Sequence, residues 1–162
     1  MPVDLEKARG RALRLLKFRP RSESELRSRL GRCGFADSTT EAVLAELKQK
    51  GLVNDALFAR LFVTQKALSK PVGRRLLLTQ LRAKGIKPEL AAEAVAVTTE
   101  GRDEFEMARQ LALGRVSRMR GLERAAIERR LFGFLSRRGF ASDVVHRVVK
   151  EMTAEGGHPR NH

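Results

Sequence analysis

Apolar residues recur along most of the chain at intervals of three to four residues, which is the period of an amphipathic helix. No stretch shows the sustained alternation of apolar and polar residues that is typical of a half-buried strand. Glycines follow several apolar runs and predict helix ends, as at Gly34, Gly51, Gly85 and Gly139. We therefore expect an all-α protein with helices at residues 4–18, 23–33, 39–50, 55–68, 72–84, 88–98, 103–118, 122–138 and 143–153.

Two segments have the form of a capping box, in which a serine hydroxyl accepts a hydrogen bond from a helix amide and a glutamate reaches back to the serine amide. They are Ser22–Glu25 and Ser38–Glu41. Pro88 has the position of a first helical residue, where its missing amide costs no hydrogen bond. These signals predict the starts of the second, third and sixth helices.

A short signature occurs three times, and it consists of a leucine, three variable residues, a glycine and an apolar residue. Its copies are Leu30–Phe35, Leu81–Ile86 and Leu135–Phe140, whose leucines are 51 and 54 residues apart. Each copy closes the second helix of a three-helix unit. A unit of about 50 residues buries little apolar surface alone and is only marginally stable. Packing of neighbouring units in tandem buries more of that surface. We therefore predict three repeats, which form an elongated, curved body, at 1–51, 52–100 and 101–154, followed by a flexible tail at 155–162.

The chain is strongly basic along its whole length. Its 33 Lys+Arg and 19 Asp+Glu give a net charge of +14. Residues 1–50 carry net +5, residues 51–100 net +4 and residues 101–162 net +5, so the charge does not come from a basic tail. Residues 56–88 contain no acid, and residues 9–32 contain nine Lys/Arg against two glutamates. This distribution indicates a polyanion or an acidic protein surface as partner, although an Arg-rich solvated surface without a ligand is the alternative.

Two arginine pairs have the spacing of neighbours on one helix face. Arg75 and Arg82 lie seven residues apart in the fifth helix, and Arg130 and Arg137 have the same spacing in the eighth. Arginine pairs in a bidentate manner with both phosphate and carboxylate groups. Each pair is therefore a candidate contact with a phosphate chain or with an acidic groove.

The sequence carries no recognisable catalytic motif. It has no phosphate-binding GxxxxGK[ST] loop, no GxSxG elbow and no pair of histidines at metal-ligand spacing. We therefore expect a binding protein rather than an enzyme, with no cofactor and no metal. The single cysteine, Cys33, is expected to be semi-buried and structural. No apolar run reaches the length of a membrane helix, and the first residues do not have the pattern of a signal peptide. A cytoplasmic monomer without membrane contact is the expectation.

Four segments, in this order, resemble the bacterial RecX family of recombination regulators, and the resemblance covers about residues 10–150. They are Phe18–Leu26 (FRPRSESEL), Leu47–Ala59 (LKQKGLVNDALFA), Gly73–Ile86 (GRRLLLTQLRAKGI) and Phe134–Phe140 (FLSRRGF). The resemblance implies a negative modulator of the RecA recombinase. Such a protein binds along the groove of the RecA–single-stranded DNA filament and inhibits filament extension, ATP hydrolysis, strand exchange and the SOS response.

The resemblance also implies which basic residues face the filament. They are Arg19, Arg21, Arg74, Arg75, Lys84, Arg137 and Arg138. One departure from the pattern concerns the first repeat, because Cys33 stands where the other repeats have Lys84 and Arg138. The first repeat is therefore expected to contribute less to binding of the filament than the other two.

Two other classes of function remain open from the sequence. The protein could bind DNA directly, with the second and third helices of a repeat acting as a helix-turn-helix. Against this, the segment STTEAVLAEL is acidic and apolar and has no row of base-reading side chains. A basic repeat scaffold for another acidic protein is the third possibility.

Overall fold

A computed structural model describes residues 2–155, and these residues form nine α-helices and no strand. The helices are α1 (Pro2–Phe18), α2 (Glu23–Arg32), α3 (Asp37–Gln49), α4 (Asp55–Ser69), α5 (Arg74–Ala83), α6 (Pro88–Thr98), α7 (Glu104–Val116), α8 (Arg124–Arg137) and α9 (Ser142–Glu155). Every predicted helix is present, and every end lies within two residues of its predicted position. The all-α prediction is therefore confirmed. The predicted tail lies outside the described residues except for Glu155, at the end of α9.

The two predicted capping boxes have different outcomes. The Ser22 side chain caps α2 as expected, because its hydroxyl accepts a hydrogen bond from the Glu25 amide at 3.1 Å. The second prediction is wrong: α3 begins at Asp37 with Ala36 as its N-cap, so Ser38 lies inside the helix. The acidic Asp37 in the first turn complements the positive end of the helix dipole without a capping box.

The leucine of each signature and the leucine four residues before it are buried in the interior of a repeat, and the final apolar residue is buried in the second and third copies and partly buried at Phe35. In the first repeat, Leu26 and Leu30 are fully buried, and they pack with Ala8 and Ala12 of α1 and with α3. In the third, Leu131, Leu135 and Phe140 pack with the buried alanines of α7 and with α9. The fully buried alanines indicate where the first helix of each repeat approaches its neighbours most closely.

The chain divides into two compact units, and the division runs through the middle repeat. The first unit extends to Phe62 and includes Gln80–Ala94, whereas the second contains Val63–Thr79 and the chain from Val95 onward. Helices α4, α5 and α6 therefore each contribute residues to both units. This division follows from the way in which successive repeats are joined.

The same junction occurs once in each unit and links the start of a second helix to the signature turn of the next repeat. In the first unit, the Ser22 hydroxyl donates a hydrogen bond to the carbonyl of Lys84 at 2.7 Å. In the second, the Gly73 amide donates to the carbonyl of Arg138, also at 2.7 Å. Ser22 and Gly73 both stand twelve residues before the signature glycine of their own repeat. In the third repeat the equivalent position is Ile127, which lies inside α8, so this repeat has no free helix start of the same kind.

Candidate basic binding surface

The nine predicted contact residues differ in how far their side chains reach solvent. Six are exposed, namely Arg19, Arg74, Arg75, Arg82, Arg130 and Arg137. Three are half-buried, namely Arg21, Lys84 and Arg138. Both members of each arginine pair, on α5 and on α8, are therefore exposed. Their role in binding stays a prediction.

In the first unit, three of these residues come together around a solvent-open hollow of about 340 Å³. Arg19 and Arg21 reach it from the segment between α1 and α2, and Lys84 reaches it from the turn after α5. The full lining is Arg19, Arg21, Ser24, Glu25, Ser28, Arg29, Arg32, Ala83 and Lys84. The hollow therefore carries five cations and one carboxylate.

The single carboxylate of the hollow belongs to Glu25 and is held by two of the cations. Its side chain accepts hydrogen bonds from Arg19 at 3.1 Å and from Lys84 at 3.0 Å. Partial burial opposes ionisation of this carboxyl, but the hydrogen bonds from Lys84 and Arg19 outweigh that effect and lower the pKa of Glu25. Glu25 is thus an ionised internal anion that neutralises only part of the surrounding positive charge.

The other cations of the hollow are less well compensated. Burial lowers the pKa of Arg21, and the positive charge of Arg19 lowers it further. Arg29 and Arg32 are exposed in the last turn of α2, and neither forms a salt bridge within the described residues. Sequence reasoning did not single out Arg29 or Arg32, although the basic stretch at residues 9–32 contains both. Their position on the face that Lys84 approaches could not be read from local spacing.

In the second unit, two of the predicted residues are engaged in packing. The Arg138 guanidinium donates a hydrogen bond to the carbonyl of Pro71. Arg74 donates its amide to the Glu104 carboxylate at 2.7 Å and its Nε to the Thr99 hydroxyl at 3.2 Å. These two side chains therefore join parts of the unit, and their guanidinium groups are only partly available to a ligand.

Among the described residues, the side chains of the predicted arginine pairs form no hydrogen bond or ion pair with another element. Arg75 uses its backbone amide, which donates to the Gly139 carbonyl at 3.1 Å, while its side chain is exposed. Arg130 and Arg137 are exposed on α8. Between them Phe134 is half-buried and is covered by the guanidinium of Arg115, 4.6 Å from the ring centre. The guanidinium of Arg115 covers a face of the Phe134 ring, so that face is not open for stacking with a nucleic-acid base.

One further prediction concerns a single residue, Cys33. Cys33 is exposed, so the prediction of a semi-buried structural cysteine is wrong. It follows α2 at the first signature turn, where no described residue lies within 4 Å of a Cβ added at Gly34, and its side chain is in solvent. Phe18 is also exposed, to 86%, at the end of α1.

Within the part of the chain that the structure describes, no group of three or more histidine, cysteine or acidic residues could hold a metal ion. None of the described helices is long and apolar enough to cross a membrane.

Three family models match the chain in order, one for each repeat. They are described as RecX first, second and third three-helix domains, and they match residues 8–47, 54–95 and 102–149. The chain belongs to the RecX family. The all-α prediction and its three tandem three-helix domains are thereby confirmed.

Curated members of the family resemble the chain over most of its length. The regulatory protein RecX of Amycolatopsis mediterranei is 38% identical over 152 residues, which is 94% of this chain and 86% of that protein. The regulatory protein RecX of Streptomyces coelicolor is 34% identical over 158 residues, which is 98% of this chain and 84% of that protein. The protein is therefore a member of a family of regulatory proteins.

Solved structures have the same fold. The crystal structure of RecX from Lactobacillus salivarius matches with a TM-score of 0.82 at 19% identity and covers 95% of this chain and 99% of that one. At this identity the match establishes the fold alone.

Proposed function

We propose that this RecX protein is a negative modulator of the RecA recombinase that binds along the RecA–single-stranded DNA filament and inhibits its extension, ATP hydrolysis and strand exchange. The observation that carries the proposal is the ordered match of all three RecX domain models across the chain. The expected consequence in the cell is control of recombinational DNA repair and of the SOS response. We infer that the protein acts in the cytoplasm as a monomer.

The charge distribution supports an extended anionic partner. All three repeats carry net positive charge, and exposed arginines occur on α2, α5 and α8. A filament of protein and DNA offers both phosphates and carboxylates along its length, and arginine pairs with either. A basic surface of this kind accelerates association with such a partner and makes binding dependent on salt.

The deciding experiment is a titration of RecA ATP hydrolysis on single-stranded DNA. We expect inhibition at substoichiometric amounts of this protein, because one bound molecule that stops filament extension affects many recombinase subunits. The protein could also lower ATP hydrolysis simply by binding the DNA and keeping it from the recombinase. A parallel titration with excess single-stranded DNA separates the two mechanisms, since added DNA relieves inhibition only in the second case. Full ATP hydrolysis at equimolar protein would exclude the proposal.

Sequence-specific duplex binding by a helix-turn-helix is the alternative, and the geometry does not favour it. The first turn of α3 carries Asp37, and Glu41 of the same helix pairs with Arg27 at 2.6 Å. In a helix-turn-helix the N-terminal part of the second helix enters the major groove, so Asp37 would bring a negative charge close to the duplex, which opposes binding. Titrations against duplexes of different sequence distinguish the two, because only a helix-turn-helix reader depends on the bases.

A further inference from the structure

We propose that the hollow formed by Arg19, Arg21, Arg29, Arg32 and Lys84 binds a phosphodiester group of a nucleic-acid strand, and that Glu25 is an internal anion which the phosphate displaces from its cations. The proposal deepens the proposed function, since it assigns a DNA contact to the first unit. It is tested on this protein without recombinase, so that the two proposals can fail separately.

The charge of the hollow is the first argument. One carboxylate stands among five cations, and the carboxylate is bonded to only two of them, Arg19 and Lys84. Like charges within the hollow repel one another: burial lowers the pKa of Arg21, and the positive charges of Arg19 and Arg29 lower it further. An anion from outside would relieve the repulsion and would meet guanidinium groups able to bind it in a bidentate manner.

The lining favours a phosphate over the carboxylates of an acidic protein. Ser24 and Ser28 add two hydroxyl donors to the five cations, which suits the several acceptor oxygens of a phosphate. Ala83 is the one apolar side chain among the described lining residues, whereas protein–protein interfaces have an apolar centre. The lining contains no aromatic ring on which a base could stack, so binding would be independent of sequence.

The position of Glu25 explains how the site can exist in the absence of a ligand. Its carboxylate lies in the first turn of α2 and bridges Arg19 and Lys84, which come from different segments of the chain. A bound phosphate would take over these two cations and leave Glu25 to water. Glu25 therefore competes with the ligand, and its removal should tighten binding rather than weaken it.

The experiment is fluorescence anisotropy of a labelled oligothymidylate with the full chain at several salt concentrations. Glu25→Gln should bind more tightly than the wild type. The control Glu128→Gln makes the same charge change at the Arg124 pair of α8 and should have a smaller effect. Far-UV circular dichroism verifies that each variant is folded.

The converse pair of variants removes cations. The double variant Arg29→Ala with Arg32→Ala should bind the oligonucleotide more weakly. The slope of the logarithm of its binding constant against the logarithm of the salt concentration should become shallower by about 0.7 for each phosphate that the variant no longer neutralises. The control Arg118→Ala with Arg120→Ala removes two exposed arginines from the segment between α7 and α8. Its affinity should fall by a smaller factor.

Two results would overturn the assignment. One is that Glu25→Gln and the double variant Arg29→Ala with Arg32→Ala change the affinity no more than their controls do. The effect on binding would then come from the net charge of the protein and not from the hollow. The other is that the variants retain wild-type affinity for the oligonucleotide but lose inhibition of the recombinase. In that case the hollow contacts an acidic protein surface and the phosphate proposal is wrong, while the proposed function stands.

Discussion

The signature glycine can be replaced by alanine in each of the three repeats, and the chain thereby provides its own control. Gly34, Gly85 and Gly139 all have positive φ, at +89°, +77° and +88°. An alanine in this left-handed region costs about 1–2 kcal/mol through its side chain's clash with its own backbone. That cost is common to the three positions, so any difference between them reports the surroundings.

The surroundings differ because only the second and third glycines face a preceding repeat. At Gly34 a new Cβ would meet nothing within 4 Å. At Gly139 it would overlap the Cβ and the backbone amide of Leu76 and lie 2.8 Å from its Cα. At Gly85 it would overlap the Cβ and hydroxyl of Ser24, whose Cα is 3.8 Å away. Overpacking of this kind adds about 1–3 kcal/mol.

We therefore expect Gly34→Ala to lose about 1–2 kcal/mol of stability and Gly139→Ala to lose about 2–5 kcal/mol. For a chain of this size, 1 kcal/mol corresponds to about 2–4 °C in Tm. The assay is urea and thermal unfolding followed by circular dichroism at 222 nm, because the sequence has no tryptophan or tyrosine for fluorescence.

A second change tests the cause at the middle repeat. Ser24→Gly removes the side chain that Gly85→Ala would strike, so the double variant should recover the steric part of the loss and lose less stability than the two single variants added together. No such rescue is available at Gly139, where the obstruction includes backbone atoms of Leu76. Equal losses for all three alanine variants, or no recovery in the double variant, would refute the close approach of successive repeats.

Three further predictions concern the core, the surface and pH. Leu81→Asp should cost at least about 3 kcal/mol and reduce the helical signal at 222 nm, because Leu81 is fully buried and an unpaired charge would enter the core. Arg75→Glu with Arg82→Glu should retain that signal and weaken inhibition in the ATPase titration; unchanged inhibition would remove this pair from the binding surface. Hydrogen bonds from Arg9 and Lys50 lower the pKa of Glu46 to about 2 from 4.5. This stabilisation is present above pH 4.5 and is lost as the pH falls towards 2, so the Tm difference between wild type and Glu46→Gln should shrink over that range.

The helices and the repeat could be predicted from the sequence because their signals are local. Glycines at positive φ and leucines at helical spacing act within a few residues, and three copies of one signature reinforce one another. The false capping box at Ser38 shows the limit of such signals. Helix starts at residues 37 and 39 were both compatible with the local pattern, and the actual start at Asp37 places Ser38 inside α3.

The binding surface was less predictable because it depends on contacts between distant parts of the chain. Lys84 and Glu25 are 59 residues apart in sequence, yet they form a salt bridge in the hollow. Arg29 and Arg32 acquire their significance only when Lys84 is placed opposite them. Helical spacing places two arginines on one face of a helix, but it contains no information about what a neighbouring repeat adds to that face.

The basic residue before the signature glycine of the second and third repeats packs against the preceding repeat and is also a candidate binding residue. Lys84 and Arg138 each accept a hydrogen bond from the preceding repeat through their carbonyl groups, and each bonds that repeat again through its side chain, to Glu25 or to Pro71. Cys33 occupies the same position in the first repeat, where no described residue lies within 4 Å of a Cβ added at the neighbouring Gly34. The cation at this position thus accompanies packing in the second and third repeats, and its absence at Cys33 does not require a weaker role in binding for the first repeat. It also follows that substitution of Lys84 or Arg138 would confound binding with folding, whereas Arg29, Arg32, Arg75 and Arg82 allow the two to be separated.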